Sequence, residues 1–301
     1  MEILKNNEKA DIARSEFIEV EPNVQLHIRD VGEGRPVVLI QGWPLSDEMY
    51  EYQYNDLIHN NFRAIGITLR GFGESSKPSG DYSYDVHALD IQKVIDHLGL
   101  SNVVLCGFSM GGAIAVRFVS EYNVHQVAKL VLCGAAAPIW TQREDFPYNL
   151  KKSDVDELIE LNNTDRPKLL DNFAKIFSAE ENSLNEGIGK WLNSIGLSAS
   201  SYAMAESLVA LRDTDLRSDL KKINIPTLIM HGKKDKICSY DLALQMKEMI
   251  ENSELVTFDE SGHSLFLEET QKFNTELIKF AKENYKDRKI ESEKAVFKGA
   301  Y

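Results

Sequence analysis

Cysteine is scarce in this chain: Cys106, Cys133 and Cys238 are the three in 301 residues. They form no C-x-x-C pair and no metal-ligand spacing, so no thiol redox motif or zinc cluster organises the fold. Two of them sit in apolar runs, where cysteine packs as a small hydrophobe. Basic residues are also in short supply, 34 against 47 acidic ones, giving a net charge of -13. Such a surface disfavours a nucleic-acid groove and an anionic membrane. Apolar runs long enough to span a bilayer are missing, and the first nine residues lack the apolar stretch of an export signal. These absences predict a soluble, cytoplasmic protein, free of metal and cofactor, with a small molecule as its partner. A homo-oligomer is compatible with them.

What is present is an alternation of short apolar runs and amphipathic stretches. Hydrophobic residues are 43% and charged residues 27% of the chain, enough for a sizeable core. Phe17 to Asp30 reads as two edge strands, and Pro36–Gln41 and Phe62–Thr68 as buried strands. A helix pattern through Val86, Leu89, Ile91, Val94 and Leu98 leads into a strand at Val103–Leu105, and another strand runs from Val127 to Gly134. This β-turn-α repetition predicts a mostly parallel sheet flanked by helices. From 137 to 216 the pattern turns helical, with scattered aromatics and no strand-like run. It reads as a helical cap inserted after the sixth strand of a core formed by residues 17–136 and 217–284. Strands at Ile225–His231 and Leu255–Phe258 and a helix from Leu267 to about Ala281 complete that core, and 1–16 and 285–301 read as terminal extensions.

The sharpest signal is Gly107-Phe108-Ser109-Met110-Gly111, a G-x-S-x-G set between a strand and a helix. In that context it is a nucleophile elbow with Ser109 on a tight turn. Side chains at Gly107 or Gly111 should collide with the backbone reversing around it. A serine hydroxyl needs a base, and the base an orienting acid. The expected order is Ser, then Asp or Glu, then His. Asp235, in His231-Gly232-Lys233-Lys234-Asp235, and His263, in Gly262-His263-Ser264, meet it, each just past a strand. The competitors are weaker. The segment after the preceding strand, Cys133–Ala137, has no carboxylate, and Asp259 falls at a strand end before its turn. His27, His59, His87, His97 and His125 carry no loop signal, and His231 reads as shaping the acid turn. The oxyanion donors should be the backbone N–H groups of Met110 and Trp43, since Pro44 has none. Trp43, Pro44, Phe108 and Trp140 are the candidate pocket walls. Arg70-Gly71-Phe72-Gly73 lacks a phosphate-loop lysine and dinucleotide spacing and reads as a structural turn.

These segments resemble the α/β-hydrolase superfamily, and within it the cofactor-free haloperoxidase, aryl-esterase and perhydrolase group. The likeness is carried by Val37–Leu45, Arg70–Ser75, Val104–Gly112, Pro226–Gly232 and Gly262-His263. It implies an α/β-hydrolase fold and a serine hydrolase of small carboxylic esters working through an acyl-enzyme. It also implies perhydrolase activity, in which hydrogen peroxide replaces water in deacylation, with Pro44 as the suggestive residue. Two positions depart from the group's pattern: Gln41 stands where histidine is usual, and Thr68 where aspartate is. The alternatives are a carbon–carbon bond hydrolase and a non-catalytic, ligand-binding or signalling member of the same fold.

Overall fold

The computed structural model describes residues 14–122, 125–181 and 183–283. Eight strands form one sheet: β1 (Arg14–Glu21), β2 (Val24–Val31), β3 (Arg35–Ile40), β4 (Phe62–Ile67), β5 (Val103–Phe108), β6 (Val127–Cys133), β7 (Thr227–Gly232) and β8 (Ser253–Phe258). Their order is β1-β2-β4-β3-β5-β6-β7-β8. β1 and β2 form an antiparallel hairpin turning at Asn23, whose φ of 65° suits asparagine. β2 runs antiparallel to β4, and all later pairings are parallel. Every residue of β5 and β7 is buried. That fits strands covered on both faces, which read as unbroken apolar runs rather than alternating ones.

Three connections leave β3, β4 and β5. The first has a short 3-10 turn at Asp47–Tyr50, capped by Ser46, leading into α1 (Glu51–His59). The second leads to α2 (Tyr84–His97), whose N-terminus is capped by Ser83. The third is α3 (Met110–Glu121), which starts at once after Ser109. Because β4 and β5 lie on opposite sides of β3, the chain reverses its direction of travel across the sheet there. In open α/β sheets that reversal opens a crevice at the carboxyl ends of the strands.

Among the described residues five helices lie between β6 and β7, the first four being α4 (Lys152–Thr164), α5 (Arg166–Phe177), α6 (Glu186–Ser198) and α7 (Ser201–Asp213). Asp165, Asn185 and Ser200 each accept a backbone N–H at the start of α5, α6 and α7, which fixes where one helix ends and the next begins. Among the described residues no strand interrupts this stretch, only two isolated bridges. Its two stems meet at Pro138, whose carbonyl accepts the Leu216 N–H at 2.9 Å. The chain continues through α8 (Arg217–Leu220), α9 (Tyr240–Met249), α10 (Leu265–Glu268) and α11 (Thr270–Lys282).

Two boundaries differ from the sequence reading. β1 begins at Arg14 rather than Phe17, because Arg14, Ser15 and Glu16 pair with Asp30, Arg29 and Ile28 although they lack an apolar alternation. The expected helix from Leu267 is two helices, α10 and α11, broken at Glu269, whose φ and ψ of -120° and 50° are not helical. Residues 1–13 and 284–301, which hold most of the expected extensions, lie outside the described residues. Among the described residues no helix is long and apolar enough to cross a membrane.

Candidate active site

Ser109 sits between β5 and α3 with φ 52° and ψ -119°. A positive φ on a non-glycine residue stores about 1–3 kcal/mol and persists only where the surroundings enforce it. They do so here by backbone hydrogen bonds. Ser109 N–H donates to the Cys133 carbonyl at 2.9 Å, and its own carbonyl accepts from Gly112, Ala113 and Ala136. The glycines are required by crowding. A Cβ on Gly107 would lie 2.3 Å from the Gly111 carbonyl oxygen, across the turn as the motif predicts. On Gly111 the collision is different, 2.3 Å from the Gln41 oxygen and 2.6 Å from that of Ile40. The elbow therefore presses against the end of β3, the neighbouring strand, and not only against itself.

Asp235 and His263, 28 residues apart in sequence, meet at the ends of β7 and β8. His263 Nδ1 lies 2.7 Å from Asp235 Oδ2, with both side chains fully buried. A carboxylate oxygen only accepts, so Nδ1 is the donor of this bond. Among the described residues Nε2 is buried without a hydrogen-bond partner. Phe108 packs on the His263 ring at 4.7 Å and Phe177 meets it edge-on at 5.7 Å. These contacts hold the imidazole plane.

The other Asp235 oxygen, Oδ1, accepts the N–H groups of Ile237 and Cys238, each at 2.8 Å. Burial by itself would raise the Asp235 carboxyl. Interaction with His263 and His231 more than reverses this and holds it well below the usual carboxylate range. His231 Nε2 lies 3.4 Å from Asp235 Oδ2 and 2.7 Å from the Cys238 carbonyl, to which it donates. The role read for His231 from sequence, shaping the acid turn, is the geometry found. Burial, with the Asp235 charge nearby, pushes the Cys238 thiol up, so that sulfur stays protonated and unreactive.

The loop after β3 lies directly against the elbow. A Cβ on Gly42 would stand 2.9 Å from Ser109 Cβ. This closeness lets the Trp43 backbone approach the serine. Met110 N–H belongs to the first turn of α3, where N–H groups have no partner inside the helix. Gln41 ties the loop down from below. Its Nε2 donates to the Leu45 carbonyl at 2.7 Å and its Oε1 accepts the Leu69 N–H at 3.1 Å. Position Thr68 is served by a carboxylate from elsewhere. Thr68 Oγ1 donates to Asp47 Oδ1 at 2.5 Å, and Asp47 also holds Tyr54 OH at 3.0 Å and Arg29 Nε at 2.9 Å.

A cleft of about 470 Å³ opens between α5, α6 and the Pro44–Leu45 segment, with Leu170, Phe173, Phe177 and Leu192 among its walls. Of the four expected pocket residues, Pro44 lines it and the other three do not. Phe108 is wholly buried beneath His263. The Trp43 indole donates to the Met204 carbonyl of α7 and meets Phe173 edge-on at 5.3 Å, and Trp140 Nε1 donates to the Ile237 carbonyl of the acid turn. Phe173 and Phe177, which stand between the cleft and the Trp43–His263 region, are among the scattered aromatics of the helical stretch and are not expected pocket residues. They sit in helical patterning where an apolar residue reads only as core. The Arg70 turn is structural, as read. Its guanidinium holds Asp90 through two bonds of 2.7 Å and Glu21 at 2.9 Å.

Residues 35–270 match the family described as alpha/beta hydrolase fold. The chain belongs to the α/β-hydrolase family. It is 45% identical to the AB hydrolase superfamily protein YisY of Bacillus subtilis over 265 residues, 88% of this chain and 98% of that protein. Among solved structures, an esterase from Exiguobacterium antarcticum is 44% identical with a TM-score of 0.88, covering 90% of this chain and 100% of that one. A bromoperoxidase from Bacillus anthracis is 33% identical with a TM-score of 0.87 over the same shares. The hydrolase thus stands in the haloperoxidase and esterase group that its motifs resemble.

Proposed function

We propose that the chain is a serine hydrolase of small carboxylic esters. The observation that carries this reading is the buried His263 Nε2, oriented by an Nδ1–H bond to Asp235 and left without a partner beside a strained serine elbow. In the proposed sequence, Nε2 takes the Ser109 Oγ proton as Oγ attacks the ester carbonyl. The carbonyl oxygen becomes an oxyanion held by the N–H groups of Trp43 and Met110. Collapse expels the alcohol, protonated by His263, and leaves an acyl group on Ser109. Water, activated by the same imidazole, then releases the acid and restores the serine. Asp235 stays ionised throughout and stabilises the imidazolium by charge and by orientation. This needs no metal or cofactor and suits a cytoplasmic protein.

Likeness to a bromoperoxidase supports a second outcome at deacylation. Hydrogen peroxide attacks the acyl-enzyme in place of water, giving a peracid and free Ser109. We assign Pro44 to this partition, through the position it gives the loop carbonyl. Trp43, Phe108 and Trp140 act in this reading as supports of the oxyanion loop, the base and the acid turn, and Pro44 as the wall nearest the acyl group.

The experiment is turnover of p-nitrophenyl acetate by wild type and by Ser109→Ala, with fluorophosphonate labelling beside it. Multiple turnover abolished by the substitution supports the ester hydrolase. Labelling of Ser109 without turnover favours a ligand-binding member of the fold, and equal rates in both proteins remove the reading.

A further inference from the structure

Glu268, the last residue of α10, lies five positions after His263 and uses all of its acceptor capacity on two loops. Its Oε2 accepts the Gly262 N–H at 2.8 Å and the Ser264 hydroxyl at 2.9 Å, the two neighbours of His263. Its Oε1 accepts the Ala179 N–H and the Ser183 hydroxyl, each at 2.8 Å, in the segment that follows α5. The two loops are in backbone contact at the same place. Ser264 N–H donates to the Phe177 carbonyl at 2.8 Å, and a Cβ on Gly262 would stand 2.4 Å from Ala179 N and 2.5 Å from the Ser178 carbonyl carbon. Lys236, next to Asp235, reaches the Ala179 carbonyl at 2.8 Å. The end of α5 is therefore bolted to both the acid turn and the histidine loop, and Phe177 from the same end braces the imidazole.

We infer that Glu268 is a positioning residue that makes the aim of His263 depend on the seating of α5. When the carboxylate holds both loops, Nε2 is fixed toward the elbow. When the grip on Ala179 and Ser183 is lost, the His263 loop loses its brace and the Phe177 ring shifts with α5. The inference rests on His263 as the base of the proposed hydrolase. A carboxylate is required by donor count. Each oxygen faces one backbone N–H, which cannot reverse, and one hydroxyl, which can. Glutamine has the same shape, yet in either orientation its NH₂ confronts a backbone N–H and one loop is released. Aspartate is one methylene short of spanning both.

The test compares wild type, Glu268→Gln and Glu268→Asp for p-nitrophenyl acetate kinetics and for amide hydrogen exchange at Gly262 and Ala179. Misplacing a base by about 1 Å costs about 100-fold, so kcat should fall by about 10- to 100-fold in both variants with KM little changed. Exchange at one or both amides should quicken while exchange in the central strands is unmoved. An unchanged kcat in a Glu268→Gln enzyme with quickened exchange overturns the inference, as does unchanged exchange at both amides. Where the substitutions prevent folding, the Ser183→Ala, Ser264→Ala double variant, which removes both hydroxyl donors and spares the carboxylate, should show a smaller loss of kcat at constant KM; an unchanged kcat there is equally fatal. If wild type itself hydrolyses no ester, the function reading fails, and the exchange arm still decides whether Glu268 joins the loops.

Discussion

Asp235 faces a second imidazole: His231 Nε2 lies 3.4 Å from its Oδ2 but spends its proton on the Cys238 carbonyl. The carbonyl it holds belongs to the turn whose amides bind Asp235 Oδ1. Replacing His231 with phenylalanine should free that turn and leave the buried carboxylate with one imidazole. The expected result is a loss of kcat of about 10- to 100-fold, the range seen when an outer partner of an active group is removed, at nearly constant KM. Wild-type kinetics in His231→Phe would show that the acid turn holds itself.

The three residues proposed for acyl transfer should be non-additive. Ser109→Ala and His263→Ala should each remove about 10,000-fold or more of kcat, and the double variant little beyond either. Asp235→Asn should keep the fold and lose about 10,000-fold, because an amide NH₂ toward Nδ1 selects the wrong tautomer. Additive losses in the double variant would mean that the residues do not act as a unit.

Activity should fall toward acid pH, since an imidazolium at position 263 cannot accept the serine proton. Asp235 should not contribute to that limb, because its carboxyl is held well below the usual carboxylate range and stays ionised. Its depressed value acts on stability instead. The contribution is present above the ordinary carboxylate range and disappears as pH falls through it toward the folded value. A kcat/KM profile flat from mildly acidic to neutral pH would count against His263 as the base.

His87, in α2, predicts a separate acid sensitivity. It is fully buried, packs near Tyr82, and among the described residues neither ring nitrogen has a hydrogen-bond partner. Burial, aided by the Arg70 charge and opposed by Asp81, pushes it down from 6.5 to about 3. The unfolded chain therefore takes this proton first, and stability drops as pH falls from about 6.5 to about 3, by about 2 kcal/mol at pH 5. Exchange for phenylalanine removes a titrating group whose hydrogen bonds are unmade. Denaturant midpoints of His87→Phe should vary less than wild type between pH 8 and pH 5. An equal variation in both proteins would refute this.

Asp47 gives a stability prediction of the opposite sort. It collects Thr68, Tyr54 and Arg29 in a buried cluster and lies 3.4 Å from His27 Nδ1. Removing one partner of a buried charged pair costs about 3–5 kcal/mol. Asp47→Asn should fall at the low end, since the Arg29 side chain is 35% exposed and can find water. Thermal unfolding of Asp47→Asn and of Thr68→Val, which loses only one hydroxyl, would separate the charge from the hydrogen bond. Equal losses would mean that the charge adds nothing.

The chain revealed its sheet, and the candidates Ser109, Asp235 and His263, in advance because those features are local. Val103–Leu105 and Leu228–Met230 read as strands on composition alone, and Gly107 and Gly111 announce a turn that no side chain could enter. Asp235 and His263 were legible because each follows a strand within a few residues. What stayed hidden depends on which loops the fold brings together. Nothing at Glu268 distinguishes it from the neighbouring Glu269, and only the meeting of 177–183 with 262–264 gives it four donors. Arg14–Glu16 carry no alternation to read, and their backbone pairing with β2 makes them a strand. Likewise Asp47 could not be matched to Thr68 across 21 residues until both were folded.

The helical stretch between β6 and β7 is held by its main chain at four points. Trp43 Nε1 bonds to the Met204 carbonyl, Ser264 N–H to that of Phe177, Lys236 to that of Ala179, and Ser200 N–H to that of Gly71. Main-chain groups are the same whatever residue bears them. Side chains of the helices over the cleft can therefore change while the handholds remain, Phe177 and Ser183, which touch His263 and Glu268, excepted. The residues over the cleft are thus freer to vary than Ser109, Asp235 and His263 beneath them.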